Sequence, residues 1–516
     1  MNFKTSSIVE YLIRRIARFL FILIGFLLTT NSSTAQNESF TFDSIHREIY
    51  HEVSQLRIIE AKKKISIIRS TTPNNLATDF VEDFAEFLSV IALSSNDAFE
   101  YYKTKNTERI DRLKNASIAS PYLNFSLSEY YLHRAISRVL FGEKIKAVFD
   151  LKTSKSYIDK NIQEYPDFRL NDKTKSLLDI AMGSIPPSIK WATALISLSG
   201  NYNIGISELN QVLNFTYVNE DYSCFFPEIL TYKVLVFLNA SSSKESDKKS
   251  IQTFFSTLTV KKELSKNHLL LYAWCDFLIK NEQNESAITL LDNRIITQNY
   301  LPFWPLEFSQ GIALQNKLDN KCIQHFTNYI AGVKSGNYVN ASYQRIAWQN
   351  LINNNQIGYK QNIQKITSTH NNTEQDQVAF SEYSSRNTPS PGLLKARLLF
   401  DGGYYSKSLD ELKKITPESL NSKLFILEYY YRLARIYEKT NNYTKAIYLF
   451  NKVIIDGSEI PNYYAANAAL NAGNVCEKLI ENKRAKFYYK KCLTLSPSAY
   501  KESIHQKAKI GLERVK

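Results

Sequence analysis

Along most of this chain, large apolar residues return every three or four positions, and charged or amide residues fill the gaps between them. A turn of α-helix takes 3.6 residues, so this period gathers the apolar side chains on one helical face. From Phe40 to about Gln163 it shows in runs such as Leu132, Ala135, Ile136 and Val139. At the other end, Tyr500, Ile504, Ala508 and Leu512 form one apolar stripe flanked by Lys501, Lys507, Lys509 and Arg514. Gly (15) and Pro (13) are too scarce to punctuate the close-set strands of an all-β domain. The pattern predicts an all-α chain. At 516 residues it exceeds one compact globule, unless its core is extended along a stack of repeats.

The C-terminal third supplies such a stack. Leu433, Ala434, Tyr437, Tyr443, Ala446, Phe450 and Val453 have the spacing of a helix pair in which small residues let two antiparallel helices approach and aromatic residues fill the space beside them. Asn441 and Asn442 supply the turn. The set recurs downstream at Ala472, Gly473, Cys476, Ala485, Tyr489, Cys492 and Pro497, and upstream at Ala396, Leu399, Gly403, Tyr405, Ser408, Leu412 and Ile415. Equivalent residues Ala396, Ala434 and Gly473 stand 38 and 39 residues apart. Three consecutive units suffice for a stack, and the 500–516 segment then reads as a helix capping its end. Two weaker units lie upstream, one at Cys275, Leu278, Ala287 and Leu291, the other at Gly311, Leu314, Cys322 and Phe326 with a one-residue slip.

These units resemble tetratricopeptide repeats, which implies an α-α superhelix of antiparallel helix pairs. The middle of the chain adds a Gly-Ser-Ile-Pro-Pro step (183–187), a helix, a Ser-Gly-Asn-Tyr turn (199–202), Gly205 and Leu209. That run resembles the hallmark of the tetratricopeptide repeat protein thirty-nine family and its bacterial relatives. The family's motif carries no catalytic residue, so the resemblance implies an architecture without enzymology. Read from the residues, Pro186 and Pro187 end one helix and can start the next.

The N-terminus changes the picture of where the chain works. Lys4, Arg14, Arg15 and Arg18 precede an apolar run from Phe19 to Leu28, and Ser33, Thr34 and Ala35 offer small residues for cleavage. This is the layout of an export signal over 1–35, and it points to the periplasm or outer membrane of a Gram-negative bacterium; retention as an anchor is the alternative. No integral span is expected after cleavage. The signal contributes four positive charges and one negative, so the net +14 becomes +11 on the mature chain. The remaining Lys and Arg are dispersed beside Asp and Glu, a solvated surface and not the basic patch of a nucleic-acid binder. The expected organisation is an irregular helical body over 36–364, a polar loop over 365–391, regular repeats over 392–499 and the cap.

Chemistry is harder to find. His51 and Glu52 begin like a zincin helix, but Gln55 stands where the second His belongs. Cys322 and His325 lie one turn apart with no third ligand nearby. Gly402 and Gly403 form an inter-helix turn without the Lys-Ser/Thr of a phosphate loop, and no GxSxG elbow occurs. Five widely spaced cysteines show no paired framework; Cys476 and Cys492 fall at core positions, either as thiols or as a disulfide. No catalytic residue, metal or cofactor is expected, and the chain is read as a non-enzyme.

What remains is the concave face lined by the first helix of each pair. The spacing exposes Leu393, Arg397 and Phe400 there, then Glu428, Tyr431, Arg435 and Glu438, then Asn467, Asn474, Glu477 and Lys478. Of these, Arg397, Tyr431, Arg435, Glu438, Asn474, Glu477 and Lys478 form the candidate groove, able to grip a protein or peptide partner in the cell envelope; a solvated face is the alternative. The Lys, Asn and Arg of a carboxylate clamp are not reproduced. The leading expectation is an exported, non-catalytic scaffold, oligomeric state open. The alternative is a helical outer-membrane glycan-binding protein, which needs exposed aromatic platforms, whereas Trp191, Trp274, Trp304 and Trp348 read as core.

Overall fold

A computed structural model describes residues 38–184, 200–239, 245–334, 336–370 and 373–515. The expected export signal over 1–35, most of the Pro-Pro step and Trp191 lie outside them. The described residues are α-helical almost throughout, with three short 3₁₀ turns and one isolated parallel bridge between Ser39 and Asn75.

Helices start where short polar side chains can accept from free backbone N–H groups. Asn442 accepts from Lys445, Ser422 from Leu424, Asn462 from Tyr464 and Asn267 from Leu270. Each helix then packs on its neighbour in sequence. Pro121–Leu140 lies on Lys144–Glu164, Trp304–Asn316 on Cys322–Gly332, Val339–Ile352 on Gln356–Ile363 and Pro391–Asp401 on Tyr405–Lys413. Beyond these, Lys423–Lys439 packs on Tyr443–Gly457, Tyr463–Lys478 on Asn482–Thr494, and the Lys501–Arg514 helix covers the end. The chain is thus a stack of antiparallel helix pairs.

One turn geometry joins the pairs. Leu56, Gly142, Glu282, Leu318, Asn354, Gly403, Asn441 and Ile480 all have positive φ. Behind each, the next N–H reaches back to the carbonyl five residues before it, as in Gln283 to Leu278 at 2.9 Å, Tyr404 to Leu399 at 2.8 Å and Glu481 to Cys476 at 2.9 Å. This is the Schellman closure, which satisfies carbonyls left open at a helix end. The turns give the repeat its register: Glu282, Leu318 and Asn354 follow at 36 residues each, and Gly403, Asn441 and Ile480 at 38 and 39. A full unit at 339–363, with Ala347 and Gly358 at the close-contact positions, therefore lies between the weaker and the regular repeats; the sequence pattern did not single it out.

The wider gap from Asn354 to Gly403 holds an inserted helix, which corrects the expected polar loop. Within 365–391 the structure has a 3₁₀ turn at Ser368–His370 and an α-helix at Glu374–Ser385. Thr373 caps that helix by accepting from the Asp376 N–H at 3.1 Å. Asp376 in turn accepts from the N–H groups of Tyr338 (2.8 Å) and Ala341 (3.1 Å), capping the Val339–Ile352 helix from outside. Polar composition here serves helix ends and not solvent.

The described residues between Ser44 and Leu301 close on themselves. His268 N–H donates to Gln55 O, Ile59 N–H to Asn299 O and Leu301 N–H to Leu56 O, while one continuous core runs from Ile49 to Ile346. The regular repeats then dock back on the Glu282 turn. A Cβ on Gly403 would stand 2.1 Å from the Glu282 carbonyl oxygen, Lys439 Nζ donates to Glu282 Oε2 at 2.6 Å, and the Tyr404 hydroxyl donates to Glu285 at 2.9 Å.

Candidate functional site

This docking leaves an inner cleft of about 590 Å³. Five successive first helices line it: His268–Lys280 through Tyr272 and Asp276, Trp304–Asn316 through Phe308 and Ile312, Val339–Ile352 through Arg345, Pro391–Asp401 through Phe400 and Asp401, and Lys423–Lys439 through Arg435. Leu140 and Leu235 close it from the N-terminal body. The lining mixes apolar and aromatic side chains with polar ones, among them Asp276, Lys280, Glu282, Arg345, Asp401 and Arg435. The Tyr272 and Tyr338 hydroxyls, both on this cleft, have no hydrogen-bond partner among the described residues.

The nominated groove residues fall into two groups. Arg435 lines the cleft, lies 5.1 Å from the Phe400 ring centre, reaches the Tyr431 hydroxyl at 3.4 Å and pairs with Glu438 at 3.1 Å. Lys478, about half exposed, approaches Glu438 at 3.7 Å. The structure thus joins Tyr431, Arg435, Glu438 and Lys478 in one chain of contacts. Asn474 and Glu477 do other work: both accept from the Tyr489 hydroxyl, at 2.9 and 2.6 Å, and Glu477 takes a two-point contact from Arg514 at 2.6 and 2.8 Å. They brace the capping helix. Arg397 sits over the Trp348 ring at 5.1 Å and pairs with Asp401 at 3.7 Å.

Burial corrects the expected exposure of several of these. Tyr431 and Glu438 are 6% exposed, Leu393 is fully covered and Phe400 is 9% exposed. The cover comes from neighbouring repeats: Tyr431 packs on Tyr464 and Phe450, and Leu393 and Phe400 share one core with Leu412, Tyr429 and Ile436.

A second cluster was invisible in the sequence. Glu129 and His133, one turn apart on the Pro121–Leu140 helix, meet Glu228 so that three ligand-type atoms lie within 4.8 Å of one another. The Lys173 ammonium already occupies the cation position: it donates to Glu129 and stands 3.0 Å from Glu228 Oε1. Tyr50 donates to Glu228 Oε2 at 2.5 Å, Thr174 donates to Glu129 at 2.5 Å, and His133 Nδ1 lies 2.9 Å from Asp83. Burial alone would raise the Glu129 carboxyl, but Lys173 and His133 outweigh it and hold it below its usual value. Burial would lower Lys173, and the two carboxylates outweigh it in the other direction. Lys173, Glu129 and Glu228 are at most 1% exposed, so no solute reaches them. The cluster pins together helices 44–54, 121–140, 171–183 and 226–239. With Asp83 on the Leu76–Leu93 helix its members come from five distant segments, and only Glu129 and His133 share a helical spacing.

The weaker metal motifs resolve into local bonds. His51 Nε2 meets Gln55 Nε2 at 3.0 Å, and His325 Nδ1 lies 2.9 Å from Glu307. Cys476 and Cys492 are free and buried, and burial pushes the Cys492 thiol up to about 12.

Stacked helix pairs whose first helices share one inner face define a helical repeat protein. Residues 427–454 and 466–498 match the family model of the tetratricopeptide repeat, so the chain carries tetratricopeptide repeats in its regular C-terminal units. Among solved structures it is similar to a chain in the crystal structure of the APC/C hetero-tetramer Cut9-Hcn1, at 11% identity over 93% of this chain and 100% of that one, with a TM-score of 0.22. That score is too low to say anything of the shape of this chain. No curated protein matches it in sequence. These findings do not single out the thirty-nine family; of its hallmark, Gly205 has a structural account, since a Cβ there would meet the Ser176 carbonyl oxygen at 2.7 Å where two helices touch.

Proposed function

We propose that this chain is an exported, non-catalytic scaffold that binds protein or peptide partners of the cell envelope along its inner face. The observation that carries the reading is the convergence of five consecutive first helices on one cleft, with the tetratricopeptide units at its C-terminal side. Such a face offers a partner a continuous row of aromatic and charged groups on rigid helices. At its accessible edge stand Asn467 and Lys478.

A photo-crosslinking residue at Asn467 or Lys478, compared with one at Tyr448 or Phe487 on the second helices, tests which face is used. Tyr448 and Phe487 are 71% and 63% exposed, so both sets are accessible. Adducts to envelope proteins from the first set support the proposal; adducts from the second set alone overturn its concave face. Export is tested by fusing residues 1–35 to a phosphatase that is active only outside the cytoplasm. The glycan-binding reading gains no support from the tryptophans, since Trp274 stacks between Phe255 and Phe277 and Trp348 is 3% exposed.

A further inference from the structure

The ionic groups lining the cleft are nearly all neutralised where they stand. Asp276 pairs with Lys280 at 3.4 Å, Glu282 with Lys439 at 2.6 Å, Asp401 with Arg397 at 3.7 Å and Arg435 with Glu438 at 3.1 Å. Arg345 is the exception. Among the described residues no carboxylate lies within 4 Å of its guanidinium, which donates to Gln315 Oε1 at 3.3 Å and rests on the Trp348 ring at 5.0 Å. Trp348 carries Arg397 as well, so two guanidinium groups share one ring while Asp401 makes a direct ion pair with Arg397 and reaches Arg345 only at longer range. Burial, with Arg397 adding to it, pulls Arg345 down to about 10. An arginine partly withdrawn from water, on which Asp401 and Glu382 act only from beyond ion-pair distance, is a group that an anion in direct contact would stabilise.

The surroundings say what kind of anion. Leu140, Leu235, Leu269, Phe303 and Phe308 supply apolar walls, and the volume falls in the range of small-molecule sites, roughly 300–1,000 Å³. Tyr338, the N-cap of the Val339–Ile352 helix, and Arg345 within it both line the cleft and lie seven residues, about 10 Å of helix length, apart, so the cleft is long enough for an extended chain with its charge at one end. A doubly charged phosphate would outweigh the single unpaired guanidinium and face Asp276, Glu282 and Asp401 across the cleft.

We propose that the cleft binds a small amphiphilic monocarboxylate, its carboxylate held by Arg345 and its aliphatic chain lying against the apolar walls. The ligand lies inside the same cleft on which the partner-binding reading rests, with partner contacts at its rim; ligand titration and partner crosslinking are separate readouts, so the failure of one is distinguishable from the failure of the other.

The test titrates the purified chain with decanoate, with decan-1-ol and with a short peptide ending in two leucines and a free carboxylate, by calorimetry and by tryptophan emission. Decanoate should saturate at one site and bind at least about tenfold more tightly than decanol, the worth of one charge-assisted contact. Arg345→Gln should lose about tenfold or more, with Arg345→Lys retaining part of the binding. Leu235→Trp, which fills the cleft without touching the arginine, guards against a folding defect in the first variant and should abolish binding. Equal binding of decanol, undiminished binding by a folded Arg345→Gln protein or by Leu235→Trp, no binding of decanoate, or saturation by the peptide alone each overturns the proposal.

Discussion

At the scale of single residues, the positive-φ turn positions decide how much of the register can be read from sequence. Gly403 and Asn441 are residue types that enter the left-handed region cheaply, and both turns were legible. Glu282, Leu318 and Ile480 hold the same geometry with side chains that do not announce it, which is why the 36-residue period upstream stayed hidden. Ile480 has no packing reason to be there, because it is 84% exposed. Ile480→Asn should therefore raise stability by about 0.5–1 kcal/mol in urea unfolding, removing a β-branched residue from a left-handed turn; a loss of stability would contradict the turn assignment. Lys173 has the opposite sign. Lys173→Met leaves Glu129 and Glu228 facing each other without a cation and should cost about 3–5 kcal/mol. Because the folded Glu129 pKa is held below its ordinary 4.5, its contribution is complete above that value and is lost as pH falls through the depressed one. In Lys173→Met that depression disappears, so the acid limb of its stability profile should shift to higher pH than in the parent chain.

At the scale of elements, the inserted Glu374–Ser385 helix shows what composition hides and local spacing reveals. Its polar residues suggested a loop, yet Thr373 and Asp376 stand three apart in the order that satisfies a helix start. What spacing could not show is that Asp376 serves a second helix, Val339–Ile352, from 38 residues away. Glu382, from the same insert, accepts the Trp348 indole N–H at 3.1 Å, so the insert holds both ends of the helix that carries Arg345. Asp376→Ala should cost about 1–2 kcal/mol, the worth of a lost cap, and faster amide exchange should appear at Tyr338 and Ala341 first. Unchanged exchange there would remove the insert from any part in positioning the cleft. The sequence put Arg397 and Arg435, the latter a lining residue of the cleft, on the first helices of their pairs. It could not show that Tyr431 and Glu438 would be covered, since their cover arrives from neighbouring repeats and from packing between Tyr431, Tyr464 and Phe450.

At the scale of the whole molecule, two kinds of connectivity meet. The regular repeats touch near neighbours and dock through the Glu282 turn, so their period is written locally and was read locally. The body instead joins Tyr50 to Glu228 across 178 positions and Gln55 to Glu263 across 208, pairings for which a sequence has no local signature. Such closure makes its opening a collective event, whereas a linear stack can fray from its free end. Native-state hydrogen exchange should accordingly show residues 44–300 opening as one unit of high free energy, and 463–514 opening separately at lower cost. Removing residues 500–516 sharpens the test. The Tyr489 ring lies against Gly473 and Gly511, where a Cβ on either would come within 2.5 Å of it, so deletion uncovers that ring and releases Glu477 from Arg514. Protection should fall across Tyr463–Thr494 and stay unchanged in the body. Acid should act on both: hydrogen bonds from His51, Gln55 and Asn267 outweigh burial and hold the Glu263 carboxyl below its usual value, and Arg514 does the same for Glu477 at the cap. Each contribution is present above about 4.5 and is lost as pH falls through the depressed value, loosening the closure of the body and the hold on the cap together. Equal loss of protection everywhere after the deletion would mean that body and repeats form a single cooperative unit.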